Sequence, residues 1–367
     1  MGQRTVSSTR SNTDLNVAET VRTISETQSG LEVNVAETIT AVNKSQWNGV
    51  VDRSTRGSVF HRYEWIDAIE TGLDSAPKHI VVKKDGNTIG VFPNFVVGIE
   101  NTPFRRLTSI YPGFGGPLVT TDVSEALPLL IDAVPKLCSG RTILHEIRAL
   151  DMSYLRYNDA IQRHGYRPIR TGCRFQLNLD KGYDAILDGM SSSRRRGIEK
   201  GREHDYELVE EEPTVANFER FHRVYEQHMD RVGGQAFPMA FFEKLLEMKS
   251  KLLLVTLRID GEYAGGMLEL CNDEQSAVHG FIASIPQEYF EYHASELLYD
   301  YVIRWGIENG YETYDLGDTG TDFEDGVFRF KEGFGGQLVP NLFWERGFGI
   351  RWKLFQAGRS MYWRHYK

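Results

Sequence analysis

Apolar residues recur along the chain at the spacings of β-hairpins and amphipathic helices, in an order that repeats. The runs HIVVKK and NTIGVF flank Asp85-Gly86, a dipeptide that tolerates the positive φ of a tight turn, and predict a hairpin. The runs LLLVTLRI and EYAGGMLELC predict a second hairpin around Asp260-Gly261. Each hairpin follows a predicted helix and precedes a further strand, a long helix and another strand. The pattern therefore predicts two copies of one α+β (mixed α/β) unit, each a mixed twisted sheet flanked by helices.

Residues 276–317 carry the clearest strand–helix–strand pattern. Leu298, Val302 and Trp305 fall on one face of a predicted helix, and Gly310 stands where a helix ends. The runs SAVHGFIAS and YETYDLG predict strands before and after it. A crossover of this kind places its two strands parallel, and ligands bind in the crevice at such strand ends.

Composition and pattern together divide the chain into four segments. Residues 1–30 are rich in small polar residues and are predicted to be a disordered tail. Within and after it, LNVAETVRTI and VNVAETITAV are near copies; the second predicts a first strand, and whether the first pairs with it stays open. Residues 31–180 are predicted to form one domain, 181–346 a second, and 347–367 a basic aromatic helix.

Charge and cysteine content exclude several classes of function. A net charge of −9 argues against a protein that coats nucleic acid, although a local basic patch is compatible with it. Three widely spaced cysteines predict neither a disulfide framework nor a zinc site. The sequence has no membrane-spanning apolar run and no secretory signal near Met1, so we expect a cytoplasmic protein.

Five cations cluster between positions 194 and 202, on a predicted helix. Arginine forks match phosphate oxygens two at a time, so Arg194, Arg196, Lys200 and Arg202 are candidate ligands for a diphosphate or a tRNA backbone. The alternative is a solvated helix face balanced by the acids at 210–212.

The run VFRFKEGFGG and the acidic loop before it are the other candidates for chemistry. Lys331 lies between aromatic residues, where desolvation strengthens the action of its charge over short distances. The acids of TYDLGDTGTDFEDG lack the register of a calcium loop, so no metal site is predicted.

Three of these segments, ASELLYDYVIRWGIENG, YDLG and FKEGFGG, resemble in order and spacing the Fem-like branch of the GNAT acyltransferases. That branch includes enzymes that add amino acids from aminoacyl-tRNA to peptidoglycan precursors. The resemblance reaches back to about Gln46 and implies two tandem GNAT-like domains. It also implies transfer of an acyl or aminoacyl group, from acyl-CoA or aminoacyl-tRNA, to an amine of a cell-envelope or glycan precursor, without a tightly bound cofactor.

The resemblance also assigns roles to single residues. It implies that Phe330 and Lys331 lie in the catalytic groove and that Lys331 stabilises the oxyanion. Independently of the resemblance, Asp315 stands near the C-terminal end of a predicted strand and is a candidate base for the acceptor amine, or an anchor for the lysine or the following loop. The segment YPGFGGPLV resembles the family's Gly-Pro loop, so Tyr111, Gly115 and Gly116 are candidate acceptor-groove residues, with a simple turn as the alternative.

The donor segment departs from the acyl-CoA pattern. Where acyl-CoA enzymes carry a glycine-rich turn before a helix, this chain has EYFEYHASELL, without glycine and with three glutamates. The departure favours aminoacyl-tRNA or another donor over CoA. The acceptor is expected to be a small-molecule or lipid-linked glycan precursor, and the basic aromatic residues 348–367 suit peripheral membrane contact. The alternative function is a catalytically inactive tandem-GNAT scaffold that binds RNA or a protein partner through the basic helix 194–202.

Overall fold

The computed structural model describes residues 21–150, 152–169 and 172–365. In chain order their strands are β1 (Val21–Glu26), β2 (Leu31–Ala36), β3 (Ala76–Pro77), β4 (His79–Lys84), β5 (Asn87–Phe92), β6 (Phe95–Gly98), β7 (Arg105–Thr108), β8 (Leu118–Val119), β9 (Thr142–Ala149), β10 (Arg167–Ile169), β11 (Cys173–Asn178), β12 (Tyr206–Glu211), β13 (Leu252–Ile259), β14 (Glu262–Asn272), β15 (Ala277–Ser284), β16 (Thr313–Thr319), β17 (Gln337–Pro340) and β18 (Leu342–Gly347). The α-helices are α1 (Lys44–Arg53), α2 (Tyr63–Gly72), α3 (Val123–Ala133), α4 (Asn158–Arg163), α5 (Tyr183–Gly189), α6 (Ser192–Gly201), α7 (Val215–Val232), α8 (Met239–Leu245), α9 (Ala294–Glu308), α10 (Gly326–Glu332) and α11 (Gly349–His365).

The strands form three sheets in two lobes. The N-terminal lobe holds the sheets β1-β2-β4-β5-β8 and β10-β18-β9-β7-β6-β3, and the C-terminal lobe holds β12-β13-β14-β15-β16-β11-β17. Helices cover these sheets, so the predicted α+β class is confirmed.

The two lobes repeat one plan. In both predicted hairpins the turn residues have positive φ: 50° and 77° at Asp85 and Gly86, 51° and 79° at Asp260 and Gly261. This conformation matches the right-handed twist of the flanking strands. Each lobe also contains one parallel pair, β7 with β9 and β15 with β16, whose strands are linked through the long helices α3 and α9. The duplication inferred from the hydrophobic pattern is therefore present in the fold.

The disordered tail predicted for residues 1–30 includes residues that form a strand. Residues 21–26 form β1, which pairs antiparallel with β2. The end of the first near-copy thus pairs with the beginning of the second, while residues 1–20 lie outside the described residues.

Two strands pair in the lobe on the other side of the boundary that was predicted between residues 180 and 181. Strand β11, predicted in the first domain, lies between β16 and β17 in the C-terminal sheet. Strand β18, predicted in the second domain, lies between β9 and β10 in the N-terminal lobe. Side-chain alternation predicts that such segments are strands but does not specify which sheet they join.

The C-terminal sheet is buried on both faces. On β14, Leu268 and Leu270 pack in a cluster that includes Val50 and Phe92 of the N-terminal lobe. Met267, on the other face of the strand, belongs to the cluster beneath α9. One hydrophobic cluster therefore spans both lobes and a second lies within the C-terminal lobe, so a polar side chain on the Met267 face is removed from water.

The predicted basic helix and the predicted C-terminal helix are both present, with bounds that differ from the prediction. The basic segment 194–202 lies on α6 and its C-cap Arg202, and a break at Met190 and Ser191 separates α6 from α5. The predicted C-terminal helix is present as α11, although the side chains from Arg359 onward lie outside the described ones. Within the described ranges, no helix combines the length and apolarity needed to cross a membrane.

Candidate active site

A cavity opens where the parallel strands β15 and β16 diverge. The two strands pair from Ala277 and Thr313 as far as His279 and Asp315, and they separate beyond that point. The space between them continues into a cavity of about 580 Å³. Its lining includes Arg194, His228, Met267, Glu269, Gly280, Phe281, Ile282, Ala283, Ile285, Phe290, Ser295, Glu296, Tyr299, Leu316, Gly317, Asp318, Gly326, Val327, Phe330 and Lys331.

Glycine at position 317 keeps the apex of this divergence open. Gly317 has a φ of +81°, which side chains of L-residues rarely adopt. A Cβ there would lie 2.5 Å from the carbonyl oxygen of Gly280 and 3.5 Å from Nζ of Lys331. The lysine ammonium group therefore lies at the point where the two strands separate.

Lys331 reaches this point from α10. Asp325 caps the helix by accepting hydrogen bonds from the amides of Val327 and Phe328, which fixes the direction of its first turn. The Lys331 side chain is buried, and its ammonium group donates to the carbonyl oxygen of Asp318 at 2.8 Å. Burial lowers the pKa of Lys331, and neighbouring carboxylates only partly offset the effect. The structure thus has the predicted lysine in a cavity, where burial disfavours its charged form.

Phe330 lies beside it and is covered by Arg194. The guanidinium carbon of Arg194 is 4.4 Å from the centre of the Phe330 ring. The same ring packs against Tyr299 and Phe334 at 5.4 Å and 5.3 Å between centroids. This packing restricts the first turns of α6 and α10 relative to each other and so helps to position Lys331.

Glu269, which the sequence did not single out, is another ionisable group that lines the cavity. It lies on the interior strand β14, opposite Gly280 of β15, and is fully buried. Tyr314 donates its hydroxyl to Oε1 at 3.3 Å, and Oε2 has no hydrogen-bond partner among the described residues. Burial raises the pKa of Glu269 to about 8, against partial opposition from Tyr314 and Lys331. A carboxyl group with this pKa and one free oxygen in a cavity can accept a proton near neutral pH.

Asp315 does not have the properties of a base. Its carboxylate accepts from Arg174 Nη1 at 2.5 Å, from Gln176 at 3.0 Å and from the amide of Gly317 at 3.0 Å. Burial opposes its charged form, but Arg174 and His279 outweigh burial and hold the pKa of Asp315 well below its usual range. These hydrogen bonds fit the role of Asp315 as an anchor for the loop after β16. They do not fit its predicted role as a base.

Only one cation of the basic segment lines the cavity. Arg194 does so, whereas Arg202 donates to the buried carboxylate of Asp300 at 2.8 Å. Arg196 and Lys200 are exposed, outside the cavity lining, and no ion pair among the described residues engages them. The segment is split because one face of α6 packs on α9, which turns the other cations towards solvent. The predicted joint phosphate site of Arg194, Arg196, Lys200 and Arg202 is therefore not assembled.

Gly115 and Gly116, in the loop YPGFGGPLV, allow neighbouring side chains to pack closely against the backbone. A Cβ on Gly115 or Gly116 would overlap neighbouring side chains, at 2.6 Å from Tyr154 in the second case. Tyr111 is 42% exposed, with its ring 5.3 Å from the guanidinium of Arg148. None of Tyr111, Gly115 and Gly116 lines the cavity, so their assignment to an acceptor groove finds no support there.

The N-terminus of α9 already faces a carboxylate. Glu296 lies in the first turn, where it accepts from Arg194 Nη1 at 2.6 Å, and His293 Nδ1 lies 3.6 Å away. Gly197 makes room for this carboxylate, since a Cβ there would lie 2.9 Å from Glu296 Cγ. The positive end of the helix dipole stabilises an anion at this position. Because the Glu296 carboxylate already lies there, a phosphate group would gain less from the dipole. Within the described residues no group of three or more His, Cys, Asp or Glu side chains forms a metal-binding cluster.

Comparison with known proteins relates the cavity to one family. Residues 190–332 match the family described as an acetyltransferase (GNAT) domain, and every lining residue named above lies within that range. No protein of curated function matches the sequence.

Solved structures with similar folds cover nearly the whole chain. FemX is 14% identical with a TM-score of 0.65, over 86% of this chain and 98% of that one. The C-terminal domain of a protein from Agrobacterium fabrum, described as a candidate lysylphosphatidylglycerol synthetase, is 15% identical with a TM-score of 0.55, over 86% and 94%. L-PGS from Bacillus licheniformis is 15% identical with a TM-score of 0.54, over 82% and 91%. These likenesses concern the fold alone.

Proposed function

We propose that this protein is a GNAT-type N-acyltransferase that moves an acyl or aminoacyl group onto an amine of a cell-envelope or glycan precursor. The observation that carries the proposal is that the buried Lys331 ammonium group and the buried Glu269 carboxyl group line one cavity. The match of residues 190–332 to acetyltransferases supports a transferase. The fold likeness to FemX and to a candidate lysylphosphatidylglycerol synthetase favours aminoacyl transfer in envelope synthesis.

The two groups suit a direct transfer without a covalent enzyme intermediate. The acceptor nitrogen attacks the donor carbonyl carbon, a C–N bond forms, and the C–S bond of a thioester or the C–O bond of an ester breaks. Glu269 takes the proton that the attacking amine loses. Lys331 donates a hydrogen bond to the carbonyl oxygen as it gains negative charge. The thiolate or ribose oxygen that leaves takes up this same proton from Glu269, which regenerates the base and balances the reaction.

The proposal is tested by measuring transfer with defined donors and acceptors. Acetyl-CoA and a pool of charged tRNA serve as labelled donors, and a lysine-containing peptidoglycan precursor and glucosamine serve as acceptors. Label is expected on an acceptor with wild-type protein and not with Glu269→Gln. If every combination yields no product above the uncatalysed reaction, the proposal fails for these substrate classes.

Glu269→Gln is expected to lower kcat by about 10²- to 10⁴-fold, because the amide cannot take the proton of the amine. In the wild type, the rate should rise with pH through about 8, since the carboxyl becomes a base only when deprotonated. This limb of the pH–rate profile should be absent from the variant. Glu262→Gln, at an exposed acid of the same strand, is the matched control and should keep it. An unchanged limb in Glu269→Gln would remove Glu269 from the mechanism.

Glu296→Gln is expected to tighten the binding of CoA by about tenfold, because it frees Arg194 and removes a negative charge from the N-terminus of α9. Calorimetric titration of wild-type and variant protein with CoA measures the difference. Glu291→Gln, which removes an exposed acid close by in the chain, controls for net charge. Equal affinities in all three proteins would mean that Glu296 does not oppose a diphosphate donor.

A further inference from the structure

The first turns of α11 form a surface that the proposed reaction does not use. On the inner side, Trp352 is 7% exposed and packs with Ile143 and Leu144. On the outer side, Ile350 and Leu354 are 68% and 65% exposed and lie one helical turn apart. The helix is therefore held by its inner face while two large aliphatic side chains project into solvent.

A basic cavity adjoins this helix. It has a volume of about 460 Å³, and its lining includes Arg105, Arg141 and Ser139. Arg351 of α11 donates to the carbonyl oxygen of Gly140, next to Arg141 in the chain. The amide of Arg105 donates to the carbonyl oxygen of Arg141 at 2.8 Å. The cavity and the start of α11 thus form one continuous region, which we name the α11 surface: Arg105, Arg141, Ile350, Arg351, Lys353 and Leu354.

The cations of the α11 surface are not neutralised locally. Among the described residues, no ion pair joins Arg105, Arg141 or Lys353 to an acid. Lys78, which also lines the cavity, is paired with Glu37 and is not counted in this surface. On a chain with a net charge of −9, this is a local positive region beside exposed aliphatic groups.

We propose that the α11 surface binds the anionic face of a lipid bilayer. Ile350 and Leu354 enter the boundary between headgroups and acyl chains, while Arg105 and Arg141 bind lipid phosphates in the basic cavity. Exposed aliphatic side chains next to unpaired cations favour such binding, because attraction to anionic lipid adds to the burial of apolar area. Guanidinium groups match phosphate oxygens in paired hydrogen bonds.

The charge of the surface favours a membrane over a second copy of the chain. Two copies that met through the α11 surface in an isologous contact would bring their unpaired cations together, which opposes association. An anionic bilayer neutralises the same cations. The net negative charge of the remaining chain repels the bilayer and so selects the orientation in which α11 faces the lipid.

Co-sedimentation of the full chain with vesicles tests the proposal. Binding is expected to vesicles of phosphatidylcholine mixed with phosphatidylglycerol, not to phosphatidylcholine alone, and is expected to weaken as salt is raised. Ile350→Gln/Leu354→Gln should weaken the partition by about tenfold. Arg105→Glu/Arg141→Glu should do the same by reversing the charge in the cavity.

Matched controls come from exposed residues outside the α11 surface. Val215→Gln/Val232→Gln changes two exposed aliphatic side chains of the α7 region, and Lys181→Glu/Arg223→Glu changes two exposed cations. Both should bind as the wild type does. Equal binding to both kinds of vesicle, or full binding by either α11-surface variant, would overturn the proposal. So would light scattering that shows a dimer abolished by Ile350→Gln/Leu354→Gln. Donor and acceptor are absent from these measurements, so their outcome is independent of the proposed transfer.

Discussion

Lys331→Met is expected to lower kcat by about 10²- to 10³-fold while leaving the fold intact, because the thioether cannot donate a hydrogen bond to the oxyanion. Methionine keeps most of the apolar volume of the lysine side chain in the space between Phe330 and Gly317. The free energy of unfolding is expected to rise, since burial lowers the pKa of Lys331 and the buried ammonium group therefore destabilises the native state. Steady-state kinetics and urea denaturation measure the two effects.

A loss of activity together with a gain in stability distinguishes a functional lysine from a structural one. Arg329→Met is the matched control, because Arg329 is an exposed cation on the same helix. It should change neither kcat nor stability appreciably. If Lys331→Met lowers activity only in proportion to a loss of folded protein, Lys331 has a packing role and the oxyanion assignment is wrong.

The pair Phe330 and Lys331 could be predicted because its signal is local. A lysine between aromatic residues and before glycines is visible within a few positions of the chain, and the structure has it buried in a cavity. Glu269 could not be predicted in the same way. It is a single acid in the run MLELC, and only the packing of β14 between two layers makes it fully buried. The available signal was an acid at an inward position of a central strand, where an unpaired charge is costly.

The role of Asp315 depended on a distant partner. Arg174 precedes it by 141 residues, and the two meet only because β11 joins the C-terminal sheet beside β16. The same exchange of strands places β11 and β18 in sheets on the other side of the predicted domain boundary. The alternation of apolar and polar residues predicted the strands and hairpins of both lobes. Which sheet β11 and β18 join, and which cations of the basic segment face the cavity, depend on long-range packing that a single sequence does not specify.

Arg174→Met is expected to lower the free energy of unfolding by about 3 to 5 kcal/mol, because it leaves the Asp315 carboxylate buried without its cation. The loss should exceed that of any exposed pair, since Arg174 also joins the lobes: it donates to the carbonyl oxygen of Leu150 and, at 3.0 Å, to Asn341. Urea denaturation measures the difference. Arg258→Met, which breaks the exposed contact with Glu207, is the control and should cost less than about 1 kcal/mol.

A double-mutant cycle and a pH series separate the ion pair from simple loss of packing. Arg174→Met/Asp315→Asn should be more stable than the sum of the single changes predicts, because removing both charges leaves neither unpaired. The pKa of Asp315 is lowered in the folded state, so its contribution is present at neutral pH and is lost on acidification below the unfolded value of the carboxyl. Acid should therefore destabilise the wild type more than Asp315→Asn. If the two single substitutions change the free energy of unfolding additively, and if acid destabilises the wild type and Asp315→Asn equally, Arg174 and Asp315 contribute to stability through packing and not through their charges.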